Sequence, residues 1–337
     1  MNIKQKLFAI TVIAVISGLS LKAQDLRYTQ YHASPLKLNP ALMGANKDLQ
    51  LIFNYRDQWK DIDKGFNTMT FNFLFPIIFE KGRDKLDFGI NAIQDKEGAF
   101  TTGNIALAAA YDLKVSKSGN HICFSLMGEF VQKGIDRSSL TFDEQYSLGE
   151  YKSSNSNGEQ NLEKQISYPD IGAGFMWNFN PAKTEESGIK AYAGVSGFHL
   201  NQPNATFHKG DGKLPIRFVY LGGVKIVSRG HFDFTPNLRI VTQKGSQEVA
   251  AGLNVDYNIT DNAKLIIGSV HKTNDAIGML VGFQSKFFAL GYSYDIYNSD
   301  ITKVVANANA NEITILLKFD RAEKKGLDIN PSPYPLF

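Results

Sequence analysis

Residues 249–258 read Val-Ala-Ala-Gly-Leu-Asn-Val-Asp-Tyr-Asn, and this stretch decides the fold. Its odd-numbered positions are mostly large and apolar, whereas its even-numbered positions are small or polar. Because successive side chains of a strand point to opposite faces, the pattern predicts a strand with one apolar and one polar face. The same alternation recurs in residues 288–296 and 105–115. Strands of about ten residues are long for a soluble sheet but suit a tilted crossing of a bilayer.

Segments with this alternation number fourteen along the chain, and together they predict an all-β fold, an antiparallel transmembrane β-barrel of about 14 strands. The segments are 48–59, 66–76, 86–96, 101–115, 120–132, 167–178, 189–198, 214–228, 232–243, 246–258, 262–272, 275–285, 286–296 and 310–320. An even number places both chain ends on one side of the membrane, and closure leaves no unpaired edge in lipid. The weakest segments are 214–228, which is apolar on both faces, and 232–243, which Pro236 interrupts.

The lengths of the connections give a second test of this topology. Outer-membrane barrels have short periplasmic turns and longer outer loops, so the long connections should share one side. The three longest predicted connections all fall on the predicted outer side. They are 133–166, 199–213 and 297–309. Connections 77–85 and 179–188 fall on the periplasmic side and are longer than the rule predicts.

Residues 1–23 have the features of a secretory signal peptide. Lys4 and Lys6 precede an apolar run over 7–21, and Ala23 is a small residue suited to cleavage. The three basic residues of this segment account for the whole formal excess of +3, so the mature chain is electrically neutral. Neutrality gives no electrostatic support for binding nucleic acid. The lone Cys123 excludes an internal disulfide.

The segment that follows the signal peptide resembles the opening of the PorP/SprF family. The residues that carry the resemblance are Gln-Asp-Leu-Arg-Tyr-Thr-Gln-Tyr at 24–31, Ser34-Pro35, Asn-Pro-Ala-Leu-Met-Gly at 39–44 and Tyr-Arg-Asp-Gln-Trp at 55–59. Strand residues 88–91 and 170–174 are also similar to the family. Members of this family are outer-membrane components associated with type IX secretion and gliding motility in Bacteroidota.

The resemblance implies a function that the alternation of apolar and polar residues alone does not predict. It implies a non-enzymatic barrel in the outer membrane that binds a secreted surface protein through that protein's C-terminal domain, for secretion or for attachment at the cell surface. It also implies contact with other type IX secretion or periplasmic anchoring components and with outer-membrane lipid. No cofactor is expected. The residues themselves leave open a general diffusion channel or a substrate-specific channel.

The predicted organisation has four parts, which are the signal peptide at 1–23, an N-terminal periplasmic or luminal segment at 24–47, the barrel at 48–320 and a periplasmic tail at 321–337. The N-terminal segment either plugs the barrel or docks a partner, or it forms a structural cap in which an Asn-Pro pair fixes a turn. The residues of this segment predicted to bind a partner are Tyr28, Gln30, Tyr31, Asn39 and Pro40.

Two further candidate sites lie elsewhere in the chain. Arg56 and Trp59 adjoin the first outer loop and are candidates for partner binding, although Arg56 also suits a luminal charge paired with an acid and Trp59 an interfacial aromatic anchor. The long connection 133–166 carries Asp143 and Glu144, and its length favours contact with a surface partner.

No catalytic or metal constellation is apparent in the sequence. No H-E-x-x-H motif and no acidic Ca²⁺-loop pattern occurs. An outer-membrane hydrolase would need Ser, His and an orienting polar residue to converge, for which His199 or His208 would have to meet a Ser by folding. Glycines at 172, 174, 222, 223 and 252 are predicted to relieve crowding on the inner face of the barrel.

Overall fold

The computed structural model describes most of the chain downstream of residue 27. The described residues are 28–45, 47–59, 65–79, 84–116, 118–137, 140, 145–147, 150–152, 163–181, 188–208, 210–303, 305 and 308–319. The predicted signal peptide, the predicted tail at 321–337, Asp143 and Glu144 all lie outside them. No helix in the described part is long and apolar enough to cross a membrane.

Fourteen antiparallel strands close into one barrel, which confirms the predicted fold. We label them β1 to β14 in chain order, with bounds Leu49–Gln58, Phe66–Ile78, Asp84–Glu97, Phe100–Lys114, Asn120–Ile135, Gln165–Phe179, Gly188–Phe198, Arg217–Val227, Phe232–Gln243, Ser246–Thr260, Ala263–Lys272, Ala276–Ser285, Phe288–Tyr297 and Asn309–Phe319. Each strand pairs with its sequence neighbours, and β1 pairs with β14 to close the ring. A small hairpin, Tyr146–Ser147 with Glu150–Tyr151, lies between β5 and β6.

The two faces of the barrel wall differ as the alternation predicts. On β10, the Leu253 side chain is 45% exposed, whereas its neighbour Asn254 is 4% exposed. On β4, Ile105 is exposed and Ala106 is fully buried. The outer face is therefore large and apolar, and the inner face is small or polar, which is the arrangement of a barrel immersed in lipid.

Two predicted irregularities have a different outcome in the structure. Pro236 does not end its strand, because β9 pairs with β10 without a break. The ladder between β8 and β9 instead skips Thr235 and Pro236, as expected for a residue that has no N–H to donate. The predicted connection 77–85 is shorter than expected, since β2 continues to Ile78 and β3 begins at Asp84.

The long connections all leave the barrel at one end, which we call the loop end. They are 136–164, 199–216 and 298–308. The opposite end, which we call the turn end, includes the short connections 115–119, 228–231, 261–262 and 286–287. This division confirms that the longest connections share a side.

Candidate functional site in the barrel lumen

The lumen is filled by the chain's own residues 28–45, which we call the luminal segment. It consists of a 3₁₀ turn at Tyr31–Ala33, one helical turn at Pro35–Leu38 and a second 3₁₀ turn at Pro40–Ala45. Each of the last two turns starts with proline, whose fixed φ and missing N–H suit the first position of a helical turn. From 28 to 44 every residue except Lys37 is buried. The structure therefore places the luminal segment inside the barrel.

Near the loop end, four charged side chains form a buried cluster on the inner wall, which we call the charged cluster. It consists of Arg56, Lys272, Asp295 and Glu312. Arg56 donates to Asp295 at 2.7 Å and to Glu312 at 2.9 Å, and Lys272 donates to Asp295 at 3.0 Å. Two cations and two carboxylates make the cluster neutral, so each buried charge has a partner. Arg56 is thus a luminal charge paired with acids.

The luminal segment binds this cluster through Thr29 and Gln30. The two successive backbone N–H groups donate to Glu312, at 2.8 Å from Thr29 and 3.1 Å from Gln30. The Thr29 hydroxyl lies 2.6 Å from Asp295 and accepts from Lys272 at 2.7 Å. Hydrogen bonds to ionised groups are stronger than neutral ones, so these contacts fix the position of the backbone.

Two tyrosines flank this pair and reach opposite parts of the wall. The Tyr28 hydroxyl lies 2.5 Å from the Thr70 hydroxyl. The Tyr31 hydroxyl donates to Asn237, and the Arg239 guanidinium lies 4.5 Å from the centre of the Tyr31 ring. Burial raises the pKa of Tyr31 to about 12, so its hydroxyl remains protonated and able to donate.

His32 lies beside Tyr31 in the same buried surroundings, with ring centres 4.0 Å apart. Burial, together with the positive charge of Arg239, lowers the pKa of His32 well below its ordinary value. The imidazole is therefore neutral at physiological pH.

Towards the turn end, the luminal segment is held by Asn39 and by backbone carbonyls. The Asn39 amide donates to the carbonyls of Phe175 at 3.0 Å and Val195 at 3.2 Å. In return, Ser196 donates to the Leu38 carbonyl at 2.7 Å, and Lys85 donates to the Gly44 carbonyl. These contacts join the segment to β3, β6 and β7.

Glycines on the inner wall let the luminal segment approach the backbone closely. A Cβ atom added at Gly174 would collide with Asn39 Oδ1 and lie 2.7 Å from Ser125 Oγ. A Cβ atom at Gly89 would collide with Met43 Sδ and lie 3.1 Å from Leu36 Cδ1. The predicted crowding at residue 174 is thus real, and the luminal segment is its cause.

Trp59 lies in a packed aromatic cluster at the loop end. Its ring lies 4.9 Å from that of Phe66 and 5.6 Å from that of Tyr297, and it packs against a buried group that includes Val305 and Ala308. Its φ of 52° is the left-handed conformation, which is unusual for a bulky residue. This conformation comes directly after the end of β1, where the chain leaves the strand.

Of the two histidine candidates, His199 meets an acid and not the nearby serine. His199 Nδ1 lies 2.6 Å from Asp170, while Ser196, three residues earlier, uses its hydroxyl on the Leu38 carbonyl. The part of the chain that the structure describes contains no group of three or more His, Cys, Asp or Glu side chains that could hold a metal ion. The hydrolase alternative therefore gains no support from these residues.

Sequence reasoning missed three members of the charged cluster, namely Lys272, Asp295 and Glu312. Each is a charged residue on the polar face of an otherwise alternating strand. That pattern assigns each of them to the lumen. The pattern does not reveal that these residues contact Arg56. That contact arises only when the barrel closes and brings distant strands together.

These features define the class of the protein. A closed fourteen-strand antiparallel barrel with an apolar outer face and a polar inner face is an outer-membrane-type β-barrel. A family model described as "Type IX secretion system membrane protein PorP/SprF" matches residues 20–317. The chain belongs to the PorP/SprF family, as the resemblance of its opening residues implied.

Solved structures with the same fold include transport proteins. A Pseudomonas aeruginosa FadL homologue has a TM-score of 0.50 at 10% identity, covering 90% of this chain and 96% of that one. A deletion mutant of the monoaromatic hydrocarbon channel TodX has a TM-score of 0.51 at 8% identity, covering 85% of this chain and 93% of that one. At such low identity the likeness shows the fold alone. No curated protein sequence matches the chain.

Proposed function

We propose that this protein is a non-enzymatic outer-membrane scaffold of the type IX secretion apparatus. In this proposal its loop end binds a secreted surface protein through the C-terminal domain of that protein, for secretion or for attachment at the cell surface. The loop end faces the outside of the cell, and the turn end faces the periplasm. Other secretion or anchoring components contact the turn end.

The filled lumen is the observation that carries this proposal. The luminal segment is buried from Tyr28 to Gly44, apart from Lys37, and it bonds to strands around the ring. A wide aqueous pore needs a lumen free of such a segment, as in the barrels of roughly 16–18 strands that conduct water. A scaffold, by contrast, requires only a rigid wall and an accessible rim.

The loop end offers the larger of the two rims. Its three long connections, 136–164, 199–216 and 298–308, lie on the same end of the barrel. A stable protein contact buries roughly 1,200–2,000 Å² in total, which connections of this length can supply. The candidate acids Asp143 and Glu144 belong to the longest of them, and we assign them to the partner-binding rim.

Shortening the longest loop tests the proposal. Removal of residues 145–152 should leave the barrel folded, which is checked by its heat-modifiable migration in electrophoresis, but should release the surface partner into the culture medium. As a control, shortening the turn-end connection 180–187 should leave binding of the partner's C-terminal domain to the purified barrel unchanged. Retention of the partner by both variants would overturn the proposed docking end.

A substrate-specific channel is the second candidate, since named hydrocarbon channels share the fold. The two functions differ in what the purified protein does in a planar bilayer. The scaffold predicts no steady current, whereas an open diffusion channel predicts stable conductance steps. Uptake of small solutes by cells with and without the loop deletion separates the candidates independently of the partner.

A further inference from the structure

We propose that the charged cluster is a binding site for a short extended polypeptide, and that the chain's own residues 28–31 occupy it as a displaceable resident. The site is in the loop-end half of the lumen, and its ligand class is an uncharged segment with a hydroxyl side chain followed by an amide side chain. The inference uses only the luminal geometry and does not depend on the partner proposed above.

The chemistry of recognition is that of a receptor for polypeptide backbone. The two carboxylate oxygens of Glu312 accept the successive N–H groups of Thr29 and Gln30, at 2.8 and 3.1 Å. The Thr29 hydroxyl binds Asp295, and the Gln30 amide donates to the Glu312 carbonyl at 2.9 Å and to Ser293 at 3.3 Å. None of these contacts requires a charged ligand.

The site remains electrically balanced when the resident leaves. Arg56 bonds both carboxylates, and Lys272 bonds Asp295, so no charge of the cluster depends on Thr29 or Gln30 for its counter-ion. Removing one member of a buried ion pair would be costly, because it leaves an unpaired buried charge. Removal of a neutral ligand leaves every charge paired and does not carry that cost. Water or another polypeptide can replace the lost hydrogen bonds.

The resident is also an imperfect ligand. Gln30 is fully buried, and within the described part of the chain its side-chain oxygen Oε1 has no hydrogen-bond partner. A buried acceptor without a partner weakens binding, because it loses its water and gains nothing in exchange. A ligand that satisfies this position would compete favourably with residues 28–31.

A strained cap covers the site on the side of the loop end. Trp59, with its left-handed φ of 52°, packs against Tyr297, and the Tyr297 hydroxyl accepts from Arg56 at 3.1 Å. The buried Nε1 of Trp59 has no hydrogen-bond partner among the described residues. Such strain is typical of clamps and switches, and here it lies between the site and the loop end.

Departure of the resident leaves the rest of the luminal segment in place. Residues 28–31 bond to β1, β2, β9, β11, β13 and β14, whereas Leu38, Asn39 and Gly44 bond to β3, β6 and β7. Because the two sets of strands do not overlap, the first can be released without breaking the second.

A labelled peptide tests the site directly. The probe has the sequence of residues 28–33 with blocked termini, and the receptor is the full barrel in detergent carrying Thr29→Pro and Gln30→Pro, which removes both N–H donors of the resident. Fluorescence anisotropy should show binding at least about tenfold tighter than to the unaltered protein. The same peptide carrying Thr29→Val and Gln30→Leu should not bind, and Glu312→Gln in the barrel should abolish binding. Asn39→Ala, which weakens only the other contact set, should leave peptide binding at the level of the unaltered protein.

A thiol-labelling experiment covers the case in which the proline variant does not fold. In a Cys123→Ala background, the thiol introduced by Gln30→Cys should react with a water-soluble maleimide at least about tenfold faster than that introduced by Leu42→Cys. Equal and slow labelling at both positions would overturn the proposal. So would a folded proline variant that binds the probe peptide no better than the doubly substituted peptide.

Discussion

The two halves of the luminal segment differ in how much aliphatic surface they bury. Both also bond to charged side chains of the wall, since Lys37 pairs with Glu129 and the Gly44 carbonyl accepts from Lys85. Residues 28–31, the loop-end half, are held by hydrogen bonds to ionised side chains. Residues 36–44, the turn-end half, bury Leu36, Leu42 and Met43, each at 1% exposure or less. Hydrogen bonds to the wall can be replaced by hydrogen bonds to water. Burial of apolar surface stabilises by about 25 cal/mol per Å², and water offers no substitute for it. From this difference we expect the turn-end half to keep the lumen closed and the loop-end half to exchange.

The wall is adapted to this difference as well. Opposite the turn-end half it has glycines at 89 and 174, which leave space for close packing. Opposite the loop-end half it has Arg56, Lys272, Asp295 and Glu312, which supply donors and acceptors. We call the first region the steric cradle and the second the polar receptor. The contrast is one of degree, because a Cβ atom added at Gly278 would lie 2.5 Å from Thr29 Cγ2, and Lys85 and Glu129 bond to residues 44 and 37.

The largest expected effect comes from breaking the polar receptor itself. Arg56→Met leaves the carboxylates of Asp295 and Glu312 buried with one counter-ion fewer, which should lower the free energy of unfolding by about 3–5 kcal/mol. Urea titration of the barrel in detergent measures this loss of unfolding free energy. Combining Arg56→Met with Glu312→Gln should recover part of the loss, and a loss below about 1 kcal/mol would mean that the cluster is solvated.

A cavity in the turn-end half should cost slightly less. Leu42→Ala removes a buried side chain from among Ala41, Met43 and the wall, and we expect a loss of about 3 kcal/mol by the same titration. The outward-facing Leu253→Ala serves as the control and should cost far less in a lipid-like environment. Equal losses at the two sites would remove the contrast between a packed lumen and a lipid-facing wall.

The steric cradle can be tested with a single methyl group. Gly174→Ala places a Cβ atom against Asn39 and should destabilise the barrel by about 1–3 kcal/mol through overpacking. Gly128→Ala is a matched control, because no atom lies within 4 Å of its added Cβ. If both substitutions were neutral, the turn-end half would have room to shift away from the wall.

The smallest expected effect is a dependence on pH through His32. Its pKa is lowered in the folded protein, so the unfolded chain binds the proton first as the pH falls. Stability should therefore be constant above the ordinary histidine pKa of about 6.5 and decline below it. His32→Gln should flatten the profile of thermal midpoint between pH 8 and pH 5, and an unchanged slope would place the titration elsewhere.

Sequence alternation predicts the barrel because the two faces of a strand are a local property of neighbouring residues. The pattern at 249–258 needs no knowledge of the rest of the chain to assign Leu253 outward and Asn254 inward. The Asn-Pro pair at 39–40 similarly predicts a turn, and a 3₁₀ turn begins at Pro40.

The site itself depends on closure, which the sequence does not reveal. Arg56 and Asp295 are 239 positions apart, and only the pairing of β1 with β14 and of β14 with β13 brings them together. The left-handed φ of Trp59 is likewise not apparent in the sequence. Such backbone conformations are set by the surrounding packing rather than by the residue.

The central claim is that the lumen is closed by the luminal segment, and single-channel recording of the purified protein tests it most directly. The unaltered protein should give no steady current in a planar bilayer, because the turn-end half remains in place even when residues 28–31 leave. Removal of residues 28–44 from a barrel that remains heat-modifiable should produce stable conductance steps. Steady conductance of the unaltered protein, equal to that of the deletion variant, would contradict the account.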